Sequence, residues 1–313
     1  MNSPVFAGEG DVTVHMMRRS ILALMGFLLV LSFPLLRAAE PLTVYTVNYP
    51  LQYFTQRIAG DHARVVFPAP ADVDPAFWMP DQKTIGDYQR ADLVILNGAD
   101  YAGWVSKVSL PRLRLVDTSK AFKDGLVTVE GTVTHSHGPV GEHSHTGTAF
   151  TIWLDFYQAV QQAEAIAEAL SRKQPEHKAD FEQNLAALRK DLMGLDLEIQ
   201  QTVAKKPRQL LFASHPIYHY LARRYELHIE DMVWEPEDMP NEQQWQLLRL
   251  AQERFPADWM LWEKQPLPKI VQQLDSMGIG IAVLDPCANR PASGDFLSVM
   301  RNNIANLKQV FAD

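Results

Sequence analysis

The sequence predicts an α/β protein in which two α/β lobes with parallel-rich sheets are joined by one long rigid helix. Two observations predict this class. An uninterrupted apolar stripe runs through residues 175–204, and strand and helix patterns alternate on both sides of it. Alternating strands and helices indicate a parallel sheet covered by helices. One such unit on each side of a long helix gives two lobes with a cleft between them.

The long helix is predicted from apolar residues that recur three and four positions apart, which places them on one helical face. These residues are Phe181, Leu185, Leu188, Leu192, Leu195, Ile199 and Val203. Pro175 suits the first turn of the helix, and Pro207 follows its end. A helix of roughly 30 residues is about 45 Å long, more than one small domain requires. An ordinary long core helix is the alternative to a rigid connection between lobes.

The lobes are predicted from short apolar runs that are bounded by helical patterns. Strands are expected at 42–47, 64–67, 92–98 and 113–117, and again at 209–213, 227–231, 258–262 and 279–285. Helices are expected at 50–60, 81–91, 216–226, 241–255, 266–278 and 293–312. The chain therefore divides into a signal peptide (1–39), an N-terminal lobe (40–154) with a His-rich loop (134–147), a helical connection (155–206) and a C-terminal lobe (207–313).

Composition and motifs exclude several function classes. The formal net charge is −8, and no basic stripe interleaved with aromatic residues appears, so a nucleic-acid partner is not expected. Cys287 is the only cysteine, which excludes an intramolecular disulfide. A nucleophile elbow, an HExxH pair and a P-loop are all missing from the sequence, so we expect no enzyme. A metallohydrolase that uses His215, Asp285 and Glu263 is the competing hypothesis, which turnover of an ester would reveal.

The start of the chain has the pattern of a signal peptide. Arg18 and Arg19 precede an apolar run at 21–36, and Ala38 and Ala39 follow as candidate cleavage positions. No cysteine follows the run, so lipid attachment there is not expected. We expect the mature protein to be soluble in the periplasm; a retained membrane anchor is the alternative.

Four histidines are concentrated in residues 134–147, which read THSHGPVGEHSHTG. They are His135, His137, His143 and His145. Neutral imidazole is a favoured ligand of zinc, copper and nickel, so the segment indicates metal binding. Its glycines and proline predict a loop that is neither helix nor strand. A solvated polar loop with incidental histidines is the alternative.

Further candidate ligands follow predicted strands of the second lobe. His215, Glu263 and Asp285 each come at the carboxyl end of a strand, where open α/β sheets bind their ligands. His219 lies one turn further on and is either a second ligand or a packed side chain. Cys287 fits a buried thiol better than a ligand. The cleft between the lobes is therefore the expected site.

The segments that follow resemble one family along nearly all of the chain after the signal segment. They are YPLQYFTQRIAGDHARV, ADLVILNGADYAGWV, WLDFYQAVQQAEAIAEAL, FASHPIYHYLARRYEL, LWEKQPLPKIVQQL and VLDP. They are similar to the periplasmic zinc- and manganese-uptake solute-binding proteins of bacterial ABC importers. The resemblance implies a divalent metal held between two lobes and delivered to an importer's membrane permease. We expect a monomer that prefers zinc, because its candidate ligands are rich in histidine; manganese or another divalent metal is the alternative.

The resemblance implies four ligand positions, of which this chain keeps two. His215 matches the third histidine and Asp285 the closing carboxylate, whereas Ala76 and Thr151 stand where the family usually has histidine. A tight zinc site needs three or four ligands. We therefore expect loop histidines to replace the absent pair: His143 and His145 by preference, and His135 and His137 as alternates. The competing hypothesis is a degenerate cleft in a protein that buffers metal or docks a partner.

Overall fold

Two four-stranded sheets, both parallel throughout, form the framework of the chain. The structure, a computed structural model, describes residues 1, 3–4, 41–129, 134–136, 142–144 and 147–312. The first sheet contains β1 (Leu42–Thr46), β2 (Ala63–Val66), β3 (Leu93–Leu96) and β4 (Leu115–Asp117). Four short strands follow: β5 (Thr128–Val129), β6 (Thr134–Ser136), β7 (Glu142–Ser144) and β8 (Gly147–Thr148). The second sheet contains β9 (Leu210–Ala213), β10 (His228–Asp231), β11 (Trp259–Trp262) and β12 (Gly280–Val283).

The two sheets have the same topology. Their strand orders are β2-β1-β3-β4 and β10-β9-β11-β12, so in each sheet the chain reverses direction between its first and third strands. Ligands of open α/β sheets bind beyond the carboxyl ends of the strands at such a switch point. In the second sheet the two strands at the switch point are β9 and β11, which are followed by His215 and Glu263.

Eight α-helices connect and cover the strands in the described residues. They are α1 (Tyr49–Ala59), α2 (Gln82–Arg90), α3 (Phe156–Lys173), α4 (Lys178–Val203), α5 (His219–Tyr225), α6 (Glu242–Arg254), α7 (Pro268–Ser276) and α8 (Phe296–Val310). Side chains of Asp81, Asn241 and Asp295 cap α2, α6 and α8 by accepting from backbone N–H groups of the first turn. The predicted strands and helices are therefore present, with ends that differ by a few residues.

The long helix is confirmed and runs without a break as α4. Its face with Phe181, Leu188, Leu192 and Leu195 is buried, as the apolar stripe predicts. A short 3-10 turn at Pro175–His177 precedes it, so proline lies just ahead of the α-helix rather than in its first turn. The helix packs against α1, α3 and α8, and so belongs to the core that supports both lobes.

A buried ion pair fastens α4 to the second lobe. Arg224 of α5 donates to both carboxylate oxygens of Asp196 at 2.9 and 2.8 Å, and Tyr225 Oη donates to the same carboxylate at 3.1 Å. This carboxylate raises the pKa of the Arg224 guanidinium. Bidentate geometry fixes the relative orientation of the two side chains, so α4 and α5 are held together as a unit.

The expectation that the His-rich segment contains no strand was wrong. β6 and β7 pair antiparallel, with His135 directly opposite His143 in the register. Each strand has only three residues, so the two strands fit on either side of the glycines and proline on which that expectation was based. His137 and His145 lie outside the described residues, as do Arg18, Arg19 and the rest of the predicted signal peptide at 5–39.

Within the part of the chain that the structure describes, no helix has the length and apolar character needed to cross a membrane.

Candidate metal-binding cleft

The carboxyl edge of the second sheet carries a histidine and several carboxylates. His215 follows β9, Glu235 follows β10, Glu263 follows β11 and Asp285 follows β12, while Asp231 is the last residue of β10. Because all four strands are parallel, these residues come at the same edge of one sheet. The edge therefore offers imidazole nitrogen and carboxylate oxygen, the donor set that zinc binds.

His215 is held in a buried position. Its side chain is 3% exposed, and its Nδ1 lies 3.5 Å from Oε1 of Glu235. A carboxylate beside one ring nitrogen orients an imidazole and favours one tautomer, as in many metal-binding histidines. Glu235 was not among the predicted site residues. Its position just beyond the end of β10 is the signal that could have identified it.

Asp285 is fixed by its backbone and by one carboxylate oxygen. Asn303 of α8 donates to the Asp285 carbonyl oxygen at 2.7 Å and accepts from its N–H at 3.0 Å. The N–H of Cys287 donates to Oδ1 of Asp285 at 2.6 Å. Burial raises the pKa of Asp285, although the Cys287 N–H and the charge of Lys264 oppose that shift. The carboxylate is thus oriented before any ligand binds.

Cys287 has a structural role beside Asp285 and is not one of the metal-binding side chains. Its side chain is buried and burial raises the pKa of the thiol, so the thiolate that binds metal is disfavoured. Its backbone has a φ of 58°, which turns its N–H toward Asp285. The interpretation of Cys287 as a packed thiol agrees with this environment.

The carboxylates of this edge surround one buried tyrosine. Burial raises the pKa of Tyr218 well above its usual value, and the charges of Glu263, Asp285 and Asp231 raise it further. Burial also raises the pKa of Asp231 to about 7, with the charge of Glu230 adding to the shift. The edge is therefore a region of negative potential, which favours a cation.

His219 lies beside Asp231 at the start of α5. Its Nε2 is 3.7 Å from Oδ2 of Asp231, and burial lowers the pKa of the imidazole. The carboxylate beside His219 is therefore Asp231 of β10. His219 is not paired with Glu235, the carboxylate that lies beside His215.

The first lobe meets this edge with hydrogen bonds at the positions where the resemblance implies ligands. Thr151 Oγ1 donates to the carbonyl oxygen of Ile217 at 2.6 Å, two residues past His215. Trp153 Nε1 donates to the carbonyl oxygen of Pro286 at 2.7 Å, directly after Asp285. Both contacts place the 151–153 segment against the His215 and Asp285 loops. The first lobe thus reaches the residues next to His215 and Asp285, and Thr151 uses its hydroxyl to bond protein.

Aromatic side chains form the first-lobe surroundings of these contacts. Tyr101 packs edge-on against Phe150 and Trp153, with ring centroids 5.3 and 5.9 Å away, and Phe77 packs against Phe150 at 6.1 Å. Ala76, next to Phe77, is buried and offers only a methyl group. The first lobe thus contributes apolar surface where the second contributes carboxylates and imidazole.

The His-rich segment starts and ends at this same place. β5 and β8 pair antiparallel and bracket residues 130–146. Tyr220 of α5 donates from Oη to the carbonyl oxygen of Ala149 at 2.9 Å and accepts from the N–H of Val127 at 3.2 Å. The base of the segment is therefore bound to the helix that begins four residues after His215.

The described residues bring some of the predicted ligands together and leave others apart. His215 and Asp285 share one edge, but neither belongs to a described group of three metal-binding side chains whose donor atoms lie within 4.8 Å of one another. Within the described ranges that condition is met by His62, His177 and Asp180, at a different place. No sequence signal connects these three residues, because His62 and Asp180 are 118 positions apart.

Two parallel sheets of the same topology, a long helix between them in the chain and contacts between loops of the two lobes are the architecture of two-lobe solute-binding proteins. The particular family follows from the sequence. Residues 44–310 match the model of the zinc-uptake complex component A, periplasmic, and the chain belongs to that family.

The similarity extends to named relatives. The zinc-binding lipoprotein AdcA of Streptococcus pneumoniae serotype 4 is 26% identical over 87% of this chain, but the chain spans only 56% of the length of AdcA. The manganese ABC transporter substrate-binding lipoprotein PsaA of Streptococcus pneumoniae is 23% identical over 87% of the chain and 89% of PsaA. The relatives are substrate-binding proteins and not enzymes, which confirms the sequence-based expectation.

The fold is also found among solved structures. The metal-dependent lipoprotein YcdH of Bacillus subtilis superimposes with a TM-score of 0.73 at 22% identity, covering 86% of this chain and 98% of YcdH. The two-lobe α/β fold with its long helix is thereby confirmed.

Proposed function

We propose that this protein is an exported solute-binding subunit that captures zinc between its two lobes and delivers it to the permease of an ABC importer. Its membership of the zinc-uptake family supports a role in metal uptake. The second-lobe edge supports the cargo, because His215 and Asp285 together offer nitrogen and oxygen donors in a negatively charged setting.

The observation that carries the proposal is the position of the His-rich segment. Its base is hydrogen-bonded to α5 through Tyr220 and lies two residues before Thr151. His143 and His145 precede Thr148 by five and three residues. At about 3.4 Å per extended residue they reach about 17 and 10 Å from that anchor. This short reach supports the assignment of imidazoles from the segment as the ligands absent at Ala76 and Thr151.

Zinc is favoured over manganese by the chemistry of these donors. Histidine-rich sites suit zinc, whereas manganese prefers oxygen. The four carboxylates around Tyr218 and His215 keep manganese as the second candidate, and PsaA among the relatives is a manganese protein by name. Competition between the two ions for one site distinguishes these cases.

The proposed export and the proposed permease partner are supported by the family, and not by a particular surface of the structure. The relatives named above are lipoproteins, whereas the apolar run of this chain has no cysteine after it and Cys287 is buried. We therefore propose a soluble monomer in the periplasm that docks on its permease, in place of a lipid-anchored one.

A second function has an observation of its own. Thr151 and Trp153 join the lobes by hydrogen bonds that require no metal. A protein whose lobes are joined in this way could buffer metal through the histidines of the His-rich segment or dock a partner. It would bind several zinc ions weakly, whereas the cleft site binds one ion tightly.

Calorimetric zinc titration tests the proposal. The intact protein is compared with His215→Ala and with a control, His228→Ala, which removes an exposed histidine of β10. We expect the intact and control proteins to bind one tight equivalent at the cleft, and His215→Ala to lose that equivalent. A weak multi-site isotherm that is identical in all three proteins would establish the second function instead.

A further inference from the structure

A second group of metal-binding side chains lies at the opposite edge of the first lobe. His62 directly precedes β2, and because β2 is parallel to β1 its start lies at the amino edge of the sheet. His177 and Asp180 come from the junction between α3 and α4. The cleft is at the carboxyl edge, so this group is a separate place in the fold.

The three side chains are already in contact. Nε2 of His62 lies 3.0 Å from Oδ2 of Asp180, and the rings of His62 and His177 stack with centroids 3.8 Å apart. One donor atom from each residue lies within 4.8 Å of the others. The fully buried ring of Phe181 packs edge-on against both imidazoles and so supports them on their core side.

The spacing matches what a zinc ion requires after a small movement. With zinc–ligand bonds of about 2.0 Å, neighbouring ligands of a tetrahedral ion lie about 3.3 Å apart. The donor atoms of His62 and Asp180 are 3.0 Å apart, slightly closer than that separation. The stacked rings differ by 20° in plane, so an ion bound by both requires one ring to turn about χ2. Both histidines are half-buried, and Asp180 is exposed, which leaves room for that rotation.

We propose that His62, His177 and Asp180 form a second zinc site with a fourth position open to water. Two imidazoles and one carboxylate are a donor set that zinc binds. The site would fasten the end of the α1–β2 connection to the start of α4, the helix that supports both lobes. It is independent of the proposed cleft function, since it shares no residue with His215, Asp285 or the His-rich segment.

The test counts zinc equivalents in the full mature chain. The double variant His62→Gln with His177→Gln is compared with the intact protein and with a matched control, His228→Gln. We expect the double variant to bind one equivalent fewer than the intact and control proteins. The conservative variant Asp180→Asn, at an exposed position, should retain that equivalent with an affinity about tenfold lower.

A second measurement shows which histidines bind the added zinc. Imidazole ¹⁵N resonances of His62 and His177, assigned from the single variants, should shift when zinc is added to His215→Ala protein. Equal stoichiometry in all variants, or unmoved His62 and His177 resonances at tenfold excess zinc, would overturn the proposal. If the double variant does not fold, the proposal is overturned by an unchanged zinc affinity of Asp180→Asn together with unmoved His62 and His177 resonances. Loss of the cleft equivalent in His215→Ala leaves this result unaffected, so the two proposals fail separately.

Discussion

Thr151 is the residue whose side chain most directly affects whether the proposed cleft site can bind zinc. Its hydroxyl donates to the Ile217 carbonyl oxygen at 2.6 Å, close to His215 in the chain. A hydroxyl at this place joins the lobes by a hydrogen bond, where a histidine would join them through a shared ion. Position 151 thus contacts the second lobe through protein atoms alone.

A histidine at position 151 should restore a cleft ligand. In the chain that also carries His143→Ala and His145→Ala, we expect Thr151→His to raise zinc affinity at least about tenfold, or about 1.4 kcal/mol, because there it adds a third donor to His215 and Asp285. Thr151→Gln, of similar size but with no imidazole, is the control. Equal calorimetric affinities for the His and Gln variants, both folded, would show that position 151 does not face the ion.

Zinc affinity should fall as the pH is lowered from about 7.5 to 5.5. Binding requires neutral imidazoles, whose unperturbed pKa is about 6.5. Burial raises the pKa of Asp285, so protons compete for this carboxylate at higher pH than for an ordinary aspartate. Both groups bind protons as the pH falls, and each bound proton opposes the metal. Titration against a chromophoric chelator measures this, and an affinity that is constant over the range would rule out imidazole ligation.

At the residue scale the sequence located His215 and Asp285 because each follows a strand, and strand ends are visible as apolar runs. Glu235 obeys the same rule but lies four residues beyond β10, in a loop whose path the sequence does not determine. His62 and His177 have no local pattern at all. They meet because α1 and α4 pack together, which is a tertiary fact.

At the scale of elements, α4 is the part of the fold that its sequence determines most completely. Its buried and exposed leucines alternate as a helix facing a core requires. Leu192 is fully buried, whereas Leu197 on the other face is 54% exposed. The His-rich segment is the opposite case, since its two strands have three residues each, too few for a periodic pattern to reveal them.

The two faces of α4 should respond differently to truncation. Leu192→Ala should lower the free energy of unfolding by about 2–5 kcal/mol, because it removes buried methyl groups and leaves a cavity. Leu197→Ala should change it by no more than about 0.5 kcal/mol. Urea unfolding of both variants measures the difference. Similar losses in the two variants would mean that α4 does not bury the face assigned to it.

On the scale of the whole molecule, two sheets of one topology present different chemistry to a common cleft. The second sheet offers His215 and carboxylates, and the first offers the aromatic group around Tyr101 and Phe150. A metal held only by His215 and Asp285 would be bound weakly, because two ligands are too few for a tight zinc site. The proposed cleft site therefore depends on further ligands, which we assign to the His-rich segment.

The most direct test is a zinc titration of the intact protein and of the double variant His143→Ala with His145→Ala. The account predicts that the intact protein binds one ion tightly and that the double variant loses at least about tenfold in affinity for it. His135→Ala with His137→Ala, which removes the alternate pair from the same segment, is the matched comparison and should have the smaller effect. Undiminished affinity in the His143/His145 variant, with affinity abolished in His215→Ala, would contradict the account and assign the remaining ligands to other residues of the cleft.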